Sequence, residues 1–356
     1  MSASKNKGEW SELYTFLKLL GDGRLYCGDG RLNRYDDRFY PILEVFRNDA
    51  PDRVSYKVQA AKNNILVSGE RIEMEVSQDR FRTESIQLLN YIKKIKGSES
   101  ISSIEQFMDE IKCEKVCAKS QDKADIRIVI HNLHTGSKPE LGYSIKSKLG
   151  ADSTLINASG DATNFIFRIE NFDKKLVEIF NNLKSFNDKF DLLNKNNAFI
   201  SFIGTAKINL HNNLTMLDLG LERIIAKCLF YYYSKQARTI EEACSILSET
   251  DPLQINCPNQ PIYEYKIKQF LLAFALGMTA TKAWQGKFNA NGGYIVVKED
   301  GDVVCYHFFD RNDLEDYLFY NTRFETPSTT RHNFGFLYEK NGSIYLKLNL
   351  QIRFIR

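Results

Sequence analysis

Asp125, Ser144 and Lys146 are the side chains from which chemistry can most directly be built. They lie on two adjoining runs that alternate with period two. In the first, Ile126, Ile128 and Ile130 share one face while Asp125, Arg127 and Val129 share the other. A polar connection, HNLHTGSKPE, carries Gly136 and Pro139 and reads as a turn. In the second run Leu141, Tyr143 and Ile145 share one side, and Gly142, Ser144, Lys146 and Lys148 the other. If the two runs pair as strands, the apolar faces join one core and Asp125 faces Ser144 and Lys146 across the ladder. A carboxylate so placed can hold a hard cation through oxygen. Such a cation acidifies water and stabilises charge on a phosphate, and the lysine can orient or deprotonate that water.

An acid opening one strand, followed by a lysine two residues past another polar position on the next, resembles the layout of the PD-(D/E)xK nuclease core. There carboxylates and a main-chain carbonyl, here that of Ile145, hold Mg²⁺. The usual second carboxylate is missing, because Ser144 stands in its place. Spacing alone is a weak signal, and a strand-capping Asp125 beside a solvated Lys146 is the ordinary alternative. Glu9 is the candidate for the missing ligand: it borders the apolar arc of an amphipathic helix, Glu9 to Leu20, on which Trp10, Leu13, Tyr14, Leu17 and Leu20 lie. Glu12 is the second choice for that role, Asp161 and Glu170 are further donors, and favourable acids at a helix start are the bland reading of Glu9 and Glu12. His131 and His211 suggest a histidine-metal nuclease, but neither has the surroundings of a ββα-metal unit.

Longer strings carry a resemblance. At GYSIKSKLGADSTLINAS and DATNF the chain resembles the HpaII family of type II restriction endonucleases. KGEWSELY (Lys7 to Tyr14), ETPSTTRH (Glu325 to His332) and KLNLQIRF (Lys347 to Phe354) agree, so the likeness spans essentially the whole chain. It implies a Mg²⁺-dependent enzyme that cleaves double-stranded DNA at CCGG and belongs to a restriction–modification system, with a methyltransferase as its genetic companion. The stretch NTRFETPSTTRH then gains meaning. Ser328, Thr329, Thr330 and His332 offer hydrogen bonds to phosphates, and Arg323 and Arg331 suit guanines in the major groove. A surface loop pinned by Pro327 is the plain alternative. A palindromic target is most simply read by a homodimer, although a monomer that nicks each strand in turn also satisfies the sequence.

Composition adds bounds. A chain of 356 residues, 43% hydrophobic and 26% charged, reads as an ordinary globular protein with room for two domains or one elaborated one. Net charge of +3 announces no nucleic-acid partner by itself. Lys112, Lys115, Lys119, Lys123, Arg127, Lys138, Lys146 and Lys148 nonetheless thicken positive charge around the central runs. Seven cysteines form no CxxC pair and are expected as free thiols. MSASKNKGEW lacks the apolar core of a signal peptide, and Phe270 to Met278 is too short to span a membrane. The expectation is a cytoplasmic protein.

The elements that must position these residues suggest an α/β protein with a mixed sheet: a PD-(D/E)xK-like core with a β-rich N-terminal insertion and a helical and β-hairpin C-terminal elaboration. We expect a core helix over 1–24, and a β-rich subdomain over 25–100, with strands at Tyr40 to Phe46, Val54 to Gln59, Ile65 to Ser68 and Ile72 to Val76 and a helix at Thr83 to Lys96. The catalytic core is expected over 101–206, including a strand at Thr163 to Ile169. A helical and hairpin region contributing DNA recognition is expected over 207–356. Within it, helices are expected at Leu219 to Gln236, from Thr239 behind a Thr-x-x-Glu capping box, and at Glu264 to Trp284. Asp173 to Phe186 reads as one helix, and EDGD and KNG each read as the turn of a hairpin.

Overall fold

The computed structural model describes residues 4–47, 53–117, 124–288 and 291–355; Lys119 and Lys123 lie outside them. The chain divides into two compact units. One is built from Met1–Ser153 and Phe288–Tyr317, the other from Thr154–Lys287 and Leu318–Ile355.

The first unit begins with the helix Lys7–Asp22. Asn6 caps it: its side chain accepts from the Glu9 N–H, and the Glu9 carboxylate reaches back to the Asn6 N–H. The helix ends at Gly23, whose positive φ of 64° lets its N–H return to the Leu19 carbonyl. Trp10, Leu13, Tyr14, Leu17 and Leu20 are all buried, so the apolar arc read from the sequence is the face that meets the core.

That core is laid over a nine-stranded mixed sheet. Its order is Arg24–Gly28, Val303–His307, Gly293–Val297, Glu140–Ser147, Ile126–Ile130, Arg34–Arg47, Val54–Gln59, Asn64–Gly69 and Ile72–Ser77. The long strand Arg34–Arg47 changes partners near Pro41. Before it, Tyr40 and Phe39 pair with Leu25 and Tyr26; after it, Ile42 and Val45 pair with Ile130 and Ile128. Pro41 has no N–H for a ladder, and its carbonyl accepts from His131 N–H. The exchange joins Arg24–Gly28 to the other side of the sheet, closing six strands into a circuit. The four strands expected between Tyr40 and Val76 therefore extend the same sheet that carries Lys146.

In the second unit Phe199–Thr205, Asn164–Glu170, Ser343–Asn349 and Leu337–Lys340 form one sheet, in that order, and Thr322–Phe324, Ile352–Phe354 and Thr154–Ile156 form another. Leu221–Tyr233, Ile240–Thr250 and Ile262–Leu276 are helices, and the Thr239–Glu242 capping box is present as read. The run Thr163 to Ile169 supplies a strand of this four-stranded sheet. Two expected helices differ in extent. Asp173 to Phe186 is broken: Val177–Asn182 stops where Leu183 turns extended, and the Ser185 hydroxyl caps a new helix, Phe186–Lys195. The apolar helix ends at Leu276, because Gly277 takes a φ of 137°. None of the seven cysteines is in a disulfide, and among the described residues no helix is long and apolar enough to cross a membrane.

Candidate active site

Ile126 lies opposite Tyr143 and Ile128 opposite Leu141. One step back along the first strand, the Asp125 N–H donates to the Tyr143 carbonyl at 2.8 Å. Its side chain then reaches across. Oδ2 accepts from Ser144 Oγ at 3.0 Å and from the Ile145 N–H at 2.6 Å. Among the described residues no hydrogen bond reaches Oδ1. The close approach depends on Gly142, where an added Cβ would stand 2.8 Å from the Ala124 Cβ.

Lys146 follows on the same face. Its Nζ lies 5.3 Å from the centre of the Tyr294 ring. Burial pushes the ammonium below the ordinary lysine value, while Asp125 and Glu12 pull it back up. Tyr294 comes from Gly293–Val297, which runs parallel to Glu140–Ser147 with Tyr294 beside Ser144 and Val296 beside Lys146. That strand can start where it does only with glycine at its head. Gly293 has a φ of 104°, and a Cβ there would lie 2.1 Å from the Tyr306 carbonyl oxygen. Tyr294 was not singled out from the sequence, and nothing local could have done so, because its partner strand lies far away in the chain.

Glu9 is engaged at the start of its helix. Its carboxylate accepts from the Asn6 N–H at 2.9 Å and pairs with Lys5 at 3.3 Å. Burial opposes ionisation, but these two partners hold its carboxyl below the usual range. The helix acid that bears on Lys146 is Glu12. Ser11, its neighbour, accepts from Ser147 Oγ at 2.8 Å and fastens this helix to the end of the Lys146 strand. Asp161 and Glu170 belong to the second unit; Asp161 accepts from Lys347 at 2.7 Å and Glu170 pairs with Arg168 at 3.3 Å. Lys148 is half-buried, and burial lowers its basicity against support from Glu299 and Asp152.

The Asp125 carboxylate itself offers hard oxygen, the class that binds Mg²⁺ or Ca²⁺. Among the described residues no three His, Cys, Asp or Glu side chains stand together as a preformed metal cage. A Mg²⁺ ion does not demand one, since it commonly rests on one or two carboxylates and keeps several waters. His131 is engaged through its backbone with Pro41, and His211 Nδ1 meets Glu222 at 2.8 Å in the other unit.

The stretch expected as a DNA-reading loop is more ordered than that. Arg323 sits in the strand Thr322–Phe324, opposite Arg353, and its guanidinium pairs with Glu325. Thr329–His332 is one helical turn, capped by Ser328 Oγ, which accepts from the Arg331 N–H at 3.4 Å. Ser328, Thr330 and Arg331 are exposed, and Thr329 and His332 half-buried. Among the described residues no partner holds the Arg331 guanidinium. His332 Nδ1 accepts from the Gly160 N–H at 3.1 Å.

A family model described as HpaII restriction endonuclease matches residues 6–354. The chain is 41% identical over 355 residues to the type II restriction enzyme HpaII of Haemophilus parainfluenzae, covering 99% of each chain. No solved structure matches.

Proposed function

The chain belongs to the HpaII restriction endonuclease family and is a type II site-specific deoxyribonuclease, and from that premise we propose that it cleaves double-stranded DNA at CCGG with Mg²⁺ held at Asp125. The observation that carries this reading is one oxygen, Asp125 Oδ2, accepting from both Ser144 and the Ile145 N–H while Lys146 shares the face. Oδ1 is thereby left for a cation, and the Ile145 carbonyl and Glu12 are the further oxygens for it. A bound Mg²⁺ would acidify water and offset phosphate charge. Lys146, desolvated and flanked by two acids, orients the attacking water and supports the negative charge that grows on the scissile phosphate. Ser144 sets the Asp125 rotamer where a second carboxylate would otherwise stand. The proposal thus keeps the PD-(D/E)xK chemistry and moves the compensating acid from Glu9 to Glu12.

The two acids make opposite predictions. Glu12→Gln is expected to slow plasmid cleavage by at least about tenfold, by weakening cation binding and the support of Lys146. Glu9→Ala loses the capping box and is expected to cost about 1 kcal/mol of stability, read as a lowered thermal midpoint, with cleavage kept. The reverse pattern would restore Glu9 as the ligand.

Recognition is assigned to the exposed turn Ser328–His332, with Arg331 as the guanine reader and Arg323 held back by Glu325. Arg331→Ala is expected to weaken binding of a CCGG duplex by about 1–3 kcal/mol, roughly five- to 150-fold, in Ca²⁺. The same titration reports stoichiometry, and two chains per site are expected for a palindrome. Parental affinity in Arg331→Ala removes this turn from the interface. The restriction–modification setting makes a CCGG methyltransferase the expected genetic companion.

A further inference from the structure

Three stretches far apart in sequence, around Gly160–Asn164, Ser328–Asn333 and Lys347–Asn349, are tied together beneath the exposed turn. Asn164 is fully buried. Its amide nitrogen donates to Asp161 Oδ1 at 3.0 Å, to the His332 carbonyl at 3.0 Å and to the Asn333 carbonyl at 3.3 Å. Its own oxygen accepts from Asn349 Nδ2 at 2.7 Å, and Asn349, also fully buried, donates further to Thr163 Oγ1 at 2.9 Å. Asn349 Oδ1 finds no partner among the described residues; the bonds that the network does make are buried, costly to lose, and fix one geometry. What it fixes here is the end of the turn Thr329–His332.

The same knot selects a face of His332. Because the Gly160 N–H donates to Nδ1, the hydrogen of the neutral ring sits on Nε2. Among the described residues no partner takes Nε2, and the side chain is half-exposed. One helical turn therefore offers outward the Arg331 guanidinium, the Thr330 hydroxyl and a histidine N–H whose tautomer is set from behind.

We infer that Asn164 is a positioning residue for sequence reading: through the His332 and Asn333 carbonyls it sets the angle of the turn that carries Arg331, and with Gly160 it fixes His332 as an Nε2–H donor to an acceptor on the DNA. This rests on the turn being part of the DNA interface. It goes beyond that reading in tying fidelity to a buried asparagine that touches no DNA. Loss of the knot leaves the reading groups present but loosely held, and discrimination suffers before fold or chemistry does.

The test compares cleavage of a CCGG duplex with cleavage of duplexes carrying one changed base pair, in Mg²⁺, with thermal midpoints followed alongside. Asn164→Ala is expected to lower that discrimination by about tenfold, the scale of one poorly read base pair. A parental ratio in a folded Asn164→Ala protein overturns the proposal, whatever happens to the absolute rate. If Asn164→Ala does not fold, His332→Gln decides. It keeps an amide donor near the Nε2 position but loses the acceptor for Gly160, so discrimination is expected to fall, and a parental ratio overturns the proposal. Arg331→Ala, run in parallel, separates the two levels. Full affinity in that variant dismisses the interface reading itself, whereas weakened Arg331→Ala binding beside parental discrimination in Asn164→Ala dismisses only the positioning role.

Discussion

Replacing Lys146 by methionine is expected to lower the single-turnover cleavage rate by about 10²–10⁴-fold, the range for loss of a positioned proton-transfer or charge-stabilising group. Affinity for a CCGG duplex in Ca²⁺ should stay within about threefold of the parent, since most duplex affinity comes from phosphate contacts spread over the interface. Methionine keeps the stem against Tyr294 and removes only the ammonium, so no cavity complicates the reading. Stability supplies an independent check. Burial depresses the Lys146 pKa in the folded chain, so the folded state holds that proton less firmly than the unfolded chain does. The penalty is fully present below the folded-state value and disappears as pH rises through the unfolded lysine value. At neutral pH the methionine variant should therefore melt no lower than the parent. A variant that cuts at the parental rate would show that the lysine is a buried structural cation, and the site would have to be sought elsewhere.

How far this site could be read beforehand depends on which residues decide it. The pairing of Asp125 with Ser144 was legible because strands alternate strictly. Once Ile126, Ile128, Leu141 and Tyr143 must share a core, a one-residue slip would put every one of them on the wrong face. The parallel docking of Gly293–Val297 was not legible. Its own alternation identifies a strand, yet nothing in it states which of many strands it joins, and Tyr294 reaches Lys146 only through that choice.

The choice between Glu9 and Glu12 is a different case. Both acids lie on one helix, and the apolar arc alone does not say which reaches the site. A local signal was present: Asn6 followed three residues later by Glu9 is a helix-start pattern that commits the carboxylate to the backbone. That engagement of Glu9 is what favours Glu12 in the proposed site. In the second unit, composition marked Ser328–His332 as polar and basic but read it as a loop. Short-range Ser and Asn hydrogen bonds made it a capped turn, and Arg323 went into a strand beside Glu325. The distant partners of Asn164, which are His332, Asn333 and Asn349, lie more than 150 residues downstream, beyond the reach of any periodicity.

Asp125→Asn is expected to have an effect as large as that of the lysine variant but a different signature. Asparagine keeps an oxygen that accepts from Ser144 Oγ and the Ile145 N–H, so the strand pair should hold and the thermal midpoint should stay near the parent's. What disappears is the charge. Lys146 loses the acid first in line to hold its proton, and a divalent ion loses its principal ligand. Cleavage should fall by about 10³-fold or more, since electrostatic help from a bound ion is worth several kcal/mol. Raising Mg²⁺ should recover little of it. Asp125→Ala separates charge from structure: it strands the Ser144 hydroxyl and the Ile145 N–H without an acceptor, so it should lose stability by about 1–3 kcal/mol as well as activity. Calorimetric titration with Ca²⁺ in the presence of duplex completes the argument, because the parent should bind the ion in a way that Asp125→Asn does not. If Asp125→Asn cuts within tenfold of the parent and binds Ca²⁺ equally well, Asp125 is a strand cap and nothing more, and the nuclease chemistry of this family member is carried by other oxygens.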